Sequence, residues 1–421
     1  MRFIYFFLKV INSNILKSTN KVLLLYSIKT ISQFFTVITI AITLIPHDLG
    51  IFTATTATVV LLSTISTLGT HTLILKEVSR DRESWFEIFS YALPTTILTG
   101  SILLIPFLYA VSFLVGKENL SFSGLVLLGI TELVLQPVTM LISAKHQACG
   151  HILKSQFIIV LPVFVRTLFV LFLLLSENCN SLSLYFIIWS TSSLISLFAA
   201  LHTIKNDLKK TRNFKIIEKK DLHDSIYFSI INMTTLGPSE IDKAIASRLL
   251  PLEIAGLYSI TTRISGIIML PIIAVSATIT PVLFKERSLD IIKKISKTIC
   301  LAALIYGSLL GFIIYTTAPS ILRLMDVNHK IIDEIIPWIA LLTPALSCRL
   351  AAGNIMLIID KSLNRAIIEA IGIFLILINA IFLVPIYGLN GMGASVLTAE
   401  TMMASMFYCT ILTQKSKHKT T

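Results

Sequence analysis

The chain has 421 residues, of which 55% are hydrophobic and only 14% charged, and its mean hydropathy is +0.84. A soluble domain of this size carries about 25% charged residues, so the composition excludes one and points to a membrane protein. Lys and Arg outnumber Asp and Glu by 35 to 23, a formal net charge of +12, and their placement reads as a topological signal and as attraction to anionic membrane lipids, with no nucleic-acid partner implied.

A transmembrane helix needs roughly 20 mainly apolar residues to cross about 30 Å of hydrocarbon, whereas a barrel strand alternates over about 10. The apolar runs are long and continuous, which predicts an all-α integral membrane protein with twelve spans. In chain order they are 22–44, 51–75, 88–115, 124–144, 157–175 and 184–201, then 226–250, 255–283, 299–318, 335–359, 366–386 and 389–412. The seventh, eighth and tenth carry charges. The domain reading is a basic amphipathic segment 1–21 lying along the inner membrane surface, an N-lobe 22–203, a basic cytoplasmic loop 204–224, a C-lobe 225–413 and a basic tail 414–421. Segment 1–21 lacks the apolar core and small-residue cleavage site of a signal peptide.

Short loops that stay in the cytoplasm retain Lys and Arg. Such residues crowd every second loop, from Lys76, Arg80 and Arg82 through the run Lys205 to Lys220, then Lys285 to Lys297 and the tail, whereas the opposite loops hold only Lys117, Arg323 and Lys330. Both termini are therefore expected in the cytoplasm. The five cysteines are scattered, the eight histidines show no ligand spacing, and no G-x-x-x-x-G-K-[ST] loop occurs. This predicts no metal, no cofactor, no catalytic residues and no ATP-driven pump.

One sentence is written twice. "LIPHDLGIFTATT" at 44–56 and "LLPLEIAGLYSITT" at 249–262 align with Gly50 on Gly256, each between the first and second helix of a set of six. An even number of spans per half gives parallel repeats, and in transporters the substrate site lies between such halves.

"LIPHDLGIFTATTATVVLLSTISTLG", "IDKAIASRLLPLEIAGLYSITTRISGIIMLP" and "LVPIYGLNGMGASVLTAE" resemble, respectively, the link between the first two helices, the seventh and eighth helices, and the link between the last two helices of the Wzx-type flippases. The resemblance extends over span count and repeat layout, and it places the chain in the superfamily that includes multidrug-and-toxin extruders and the lipid II flippase. It implies two pseudo-symmetric six-helix lobes in a V-shaped MOP-type fold, alternating around a cavity. It also implies a function: moving undecaprenyl-pyrophosphate-linked oligosaccharide repeat units, for O-antigen or a similar surface polysaccharide, across the bacterial inner membrane. The implied driving force is a gradient of H+ or Na+, and a polysaccharide polymerase and a chain-length regulator are candidate partners.

A charge at mid-bilayer costs roughly 2.5–3.5 kcal/mol on insertion scales, so a persistent one faces a cavity or a partner. Outside the loops remain Lys29, Arg166, Lys243, Arg248, Arg263 and Arg349. A pyrophosphate stripped of water needs such cations. The resemblance puts the first and eighth helices against the cavity, so Lys29 and Arg263 lead the candidate phosphate contacts, followed by Arg166 and Arg349, with Arg248 as an interfacial anchor. An ion pair or a side chain reaching the interface is the plain alternative for each. Asp242, Glu132 and Glu369 are the candidate coupling or ion-pairing acids, and Glu240 and Glu400 also lie in spans. Adjacent helical residues point about 100° apart, so Asp242 need not pair with Lys243. The hydroxyls of the second helix suit either sugar contacts or close packing.

Two rival functions stay open. A cation-coupled multidrug exporter is one, although such relatives typically carry an acid in the first helix, where this chain has Lys29. A membrane-embedded polysaccharide polymerase is the other, although the outward loops are short and hold no catalytic constellation.

Overall fold

A computed structural model describes residues 15–116, 121–174, 181–208, 215, 217, 219–269, 271–272, 289–323, 329–359 and 361–414. The expected amphipathic segment before residue 15, the tail beyond 414 and Cys179 lie outside the described residues. All the regular structure among the described residues is helical, as lipid requires, because a helix satisfies its backbone polar groups internally.

Helix α1 spans Ile15–Thr43 and α2 Pro46–Ser66. Proline at the start of α2 sacrifices only an amide with no helical partner. The second expected span, 51–75, is cut in two: the chain turns through Leu68 (φ 45°) and Gly69 (φ 75°) before α3, Thr70–Val78. A β-carbon on Gly69 would also overlap the Ser225 carbonyl, so glycine is required there on two counts. Helix α4 runs over Ser84–Val115.

The fourth span is α5 (Phe122–Ile130), a π-helical stretch (Thr131–Leu135) and α6 (Gln136–Ala148) in one rod. Pro137 explains the wide turn, since it offers no amide hydrogen and its ring displaces the carbonyl four residues back. Next come α7 (Ile152–Leu174), α8 (Leu182–Thr203) and the short α9 (Lys205–Leu208). The seventh expected span becomes α10 (Lys219–Leu236) and α11 (Pro238–Leu249), parted at Gly237–Pro238.

Helix α12 is Leu252–Ile268, the described part of the eighth expected span. Helices α13 (Leu289–Arg323) and α14 (His329–Ile358) follow. Finally α15, Ser362–Thr413, holds the last two expected spans end to end across a kink at Gly388 (φ 55°, ψ −129°). Among the described residues eight helices are long and apolar enough to cross a membrane, and Ser27–Thr43 is a shorter apolar stretch.

Beside an apolar core, many large apolar side chains stand at the surface while small hydroxyls are buried. Phe172, Phe198 and Phe312 are each 69% exposed, while Thr55, Ser196 and Thr343 are 0% exposed. Apolar side chains gain nothing by leaving lipid tails, so small and polar residues can share the helix interfaces with the apolar core.

The chain forms two compact units: Met1–Thr43, Leu62–Tyr109 and Ser121–Ser229 in one, Leu44–Leu61, Ala110–Leu120 and Ile230–Thr421 in the other. The first is built on the packing of α1 with α7, of α7 with α6 and α8, and of α3 with α6. Its core gathers Leu73, Trp85, Phe89, Leu141 and Ile158, with Trp85 and Phe89 stacked at 4.5 Å. In the second, α14 packs on α13 and α15, and α11 on α12 and α15. One core there surrounds Tyr258, Ile336, Ile376 and Met392, and another surrounds Met356 and Phe407.

Candidate functional site: charges within the helices

In the first unit the π-helical stretch carries Glu132, and α7 carries Arg166. The Arg166 Nη2 lies 3.4 Å from Glu132 Oε1, its Nε points at Ser192 Oγ at 3.5 Å, and its guanidinium stacks on the Trp189 ring at 3.8 Å. Both charged side chains are nearly buried. The same helix contact is laced by hydroxyls: Thr131 pairs with Ser190 at 2.7 Å, and Gln136 donates to Ser193 at 3.1 Å.

Lys29 lies on α1 one turn before Ser32, and so on the face that meets α7. There Thr167 donates to the Ser32 carbonyl at 3.0 Å and pairs with Thr36 at 2.9 Å. Lys29 is half-buried and has no hydrogen-bond or ion-pair partner among the described residues.

In the second unit most charges are matched. Asp242 receives the Tyr258 hydroxyl at 2.9 Å on one oxygen and Lys243 at 3.2 Å on the other, while the Lys243 ammonium also donates to the Ser239 carbonyl. The long lysine stem closes the angular gap between neighbouring residues, so the pair that helix geometry alone did not require does form. Arg349 donates to Glu400 at 2.5 Å, and both are 2% exposed. Arg365, just outside the expected span 366–386, is buried: it holds Glu369 at 2.9 Å, and Thr235 donates to the other oxygen of Glu369 at 3.1 Å. The reason is that α15 starts at Ser362, earlier than its apolar run, which puts Arg365 and Glu369 one turn apart on one face.

Arg263 is held differently. Its Nη2 donates to Thr56 Oγ1 at 3.1 Å, across the crossing of α12 with α2. The nearest carboxylate oxygen, Glu240 Oε2, is 3.7 Å away, beyond hydrogen-bonding range. Arg263 Nε and Glu240 Oε2 are both buried without a hydrogen-bond partner among the described residues. The two side chains as a whole are 27% and 17% exposed. One turn along α12, Tyr258, Thr262 and Ser265 line a small cleft with Trp338, Leu389 and Gly393.

The α2 hydroxyls are mostly spoken for. Thr53, Thr55, Thr56 and Thr58 donate to the Gly50, Ile51, Phe52 and Ala54 carbonyls of their own helix and are buried. Thr56 alone of these is shown accepting from another helix, from Arg263. Arg248 lies over the Phe113 ring at 4.8 Å. Among the described residues no group of three or more His, Cys, Asp and Glu is arranged to hold a metal ion.

At the rim of the first unit, acids of α9 and of the start of α10 bond to neighbouring helices. Asp207 pairs with Lys145, Tyr91 donates to Asp221 at 2.8 Å, and Lys76 pairs with Asp224 at 3.2 Å. The hydrogen bond to Asp224 raises the Lys76 pKa above its ordinary value, with Glu77 adding to the effect and partial burial opposing it.

Of this arrangement, the composition and hydropathy pointed to Lys29, Arg166, Arg263, Arg349, Asp242, Glu132 and Glu369. Sequence reasoning did not single out Tyr258, Thr56 or Arg365, nor did it separate Glu240 from the other acids. The duplicated segment does hold Gly50 and Gly256, which meet where α2 and α12 approach, next to the Arg263–Thr56 contact.

Comparison with known proteins gives the framework a family. No curated protein matches the sequence. Among solved structures, an inward-facing multidrug resistance MATE family transporter of the MOP superfamily is similar over 91% of this chain and 94% of its own, with a TM-score of 0.69 at 14% identity. A MOP superfamily transporter from Pyrococcus furiosus, described as having a binding pocket of reverse polarity, is similar over 94% and 93%, with a TM-score of 0.64 at 13% identity. The outward-facing form of a MATE family transporter gives a TM-score of 0.64 at 13% identity, over 94% and 93%. These likenesses establish the fold, that of a multi-pass membrane transporter. Residues 15–287 match the family model for polysaccharide biosynthesis proteins. With well over half its length inside that match, this chain belongs to the polysaccharide biosynthesis protein family, built on the all-helical fold of MOP superfamily transporters.

Proposed function

We propose that this transporter is a flippase for lipid-linked oligosaccharide repeat units, carrying an undecaprenyl-pyrophosphate-bound precursor of O-antigen or a similar surface polysaccharide across the bacterial inner membrane. Both termini lie in the cytoplasm, as the distribution of Lys and Arg favours. The family supports a polysaccharide precursor as cargo, and the fold supports transport.

One observation carries the choice of an anionic cargo. Arg166, Lys243 and Arg349 each have a carboxylate within 3.4 Å, whereas Lys29 has no acid partner among the described residues and Arg263 keeps its acid at 3.7 Å. A cation left uncompensated in a membrane protein is poised for an anion that comes and goes. Lys29 and Arg263 are therefore the proposed phosphate contacts, and Arg166 and Arg349 hold their own helices together through Glu132 and Glu400. Coupling to H+ or Na+ and association with a polymerase and a chain-length regulator belong to the same reading.

The test is genetic and chemical. Deleting the gene should remove the surface polysaccharide and leave the lipid-linked repeat unit accumulating in the inner leaflet. Lys29→Ala and Arg263→Ala should do the same at unchanged protein level. Wild-type display by the double variant overturns the assignment of these residues. Normal polysaccharide together with raised drug susceptibility in the deletion strain would favour a multidrug exporter instead.

A further inference from the structure

Aligning Gly50 with Gly256 sets Thr56 opposite Thr262 and Ala57 opposite Arg263. The second repeat therefore carries an arginine where the first has a fully buried alanine, and that arginine reaches back to the threonine of the first repeat. What holds it is a neutral hydroxyl. Arg166, Arg349 and Arg365 are held instead by the carboxylates of Glu132, Glu400 and Glu369.

The other contacts of Thr56 settle the direction of this hydrogen bond. Its hydroxyl hydrogen is committed within α2, to the Phe52 carbonyl at 2.8 Å and the Thr53 carbonyl at 3.1 Å. The oxygen therefore meets Arg263 purely as an acceptor, which suits a guanidinium that can only donate. A branched side chain tied back to its own helix also has its rotamer fixed.

We propose that Thr56 is a positioning residue for Arg263: it holds the guanidinium in place without neutralising it, and so sets how strongly this arginine binds a phosphate-bearing ligand. The inference rests on Arg263 being a phosphate contact. Thr56 is 4% exposed and the Arg263 side chain 27%, so the threonine acts through the arginine and not on the ligand. A long side chain that is already held costs less to order when the ligand arrives. A carboxylate in the same place would hold the arginine as firmly, yet it would compete with the ligand for the charge. Glu240 stands at 3.7 Å, beyond hydrogen-bonding range. A guanidinium released from Thr56 can close on that acid, and doing so spends the donors and the charge that a phosphate needs.

The experiment is calorimetric titration of the purified full-length protein in detergent, with inorganic pyrophosphate as the probe and Thr56→Val, Thr56→Ser and Arg263→Ala beside the wild type. Valine keeps the branched shape and lacks the acceptor, whereas serine keeps the acceptor and lacks the methyl group. Thr56→Val is expected to weaken binding about tenfold or more, the scale of one lost hydrogen bond to a charged group, at an unchanged Tm. Thr56→Ser should retain the wild-type affinity. In the Arg263→Ala background, Thr56→Val should weaken binding no further. Wild-type affinity in Thr56→Val overturns the positioning role and leaves the phosphate contact standing. So does an equal loss in both Thr56 variants with a lowered Tm, which marks packing, or a further loss in the Arg263→Ala background, which marks direct contact with the ligand. No pyrophosphate binding, or binding indifferent to Arg263→Ala, overturns both readings. If Thr56→Val does not fold, Thr56→Ala makes the same comparison with serine.

Discussion

A β-carbon on Gly256 would lie 2.8 Å from the backbone nitrogen of Gly50, so the two glycines of the duplicated sentence meet each other where α12 crosses α2. The repeat supplies each helix with the missing side chain that close backbone approach demands. That approach is what lets Arg263 reach Thr56.

Filling either glycine should therefore cost stability. A β-carbon on Gly50 would overlap the Leu252 carbonyl, and backbone cannot move aside as a side-chain tip can. Gly50→Ala and Gly256→Ala are each expected to destabilise by about 1–3 kcal/mol, read as a lower Tm in detergent. Gly266, on the same α12, meets nothing within 4 Å. Gly266→Ala should be neutral or stabilising, by up to about 1 kcal/mol, since alanine is the better helix former. Equal Tm values for all three variants would refute the crossing.

Arg349 and Glu400, each 2% exposed, form a pair whose halves are not separately dispensable. Breaking such a pair leaves one uncompensated buried charge, at a cost of about 3–5 kcal/mol, whereas replacing both with apolar residues is often neutral. Arg349→Met should accumulate poorly, and Arg349→Met with Glu400→Leu should recover most of the lost stability. Membrane-fraction yield and Tm measure both. Arg263→Ala should by contrast leave protein level intact, because the Glu240 contact it removes is long.

How legible was this molecule from its sequence? Apolar runs long enough to span a bilayer are a one-dimensional signal, so the helices could be read directly. Their interruptions could not. The break at Leu68–Gly69 lies within one hydroxyl-rich run that reads as a single span, and the close approach of the Ser225 carbonyl to Gly69 comes from far along the chain. The π-helical turn at Thr131–Leu135 could have been suspected from Pro137, but prolines also sit within α4 and α7 without one. Charges could be located in spans, yet whether each was paired was invisible, because the partners are set by which helices pack together. Glu400 lies 51 residues from Arg349 and finds it only through the contact of α15 with α14.

The rim contacts predict a pH dependence. Because Lys76 is raised above its ordinary pKa by Asp224, its contribution to folding is fully present below the unfolded lysine value near 10.4 and is lost as pH climbs through the higher folded value. The pair is more than a third exposed, so solvent screening limits it to about 0–1 kcal/mol. Asp224→Asn should lower Tm slightly at neutral pH and shift alkaline unfolding to lower pH.

The two proposed phosphate contacts should differ in their tolerance of conservative exchange. Lys29 offers a compact charge on a flexible stem, and no bonded partner among the described residues fixes its geometry. Lys29→Arg is therefore expected to keep most of the export activity. Arg263 uses one arm of its guanidinium on Thr56 and leaves Nε free, an arrangement that depends on the planar fork. A lysine there cannot hold Thr56 and still present a second donor in a fixed direction. A hydrogen bond involving a charged group is worth about 1.5–3 kcal/mol, so Arg263→Lys should slow delivery of repeat units at least about tenfold. Pulse-labelling of surface polysaccharide in strains matched for protein level reads both rates. Equal tolerance at the two positions would mean that charge alone matters at Arg263, and the Thr56 contact would then be packing rather than alignment.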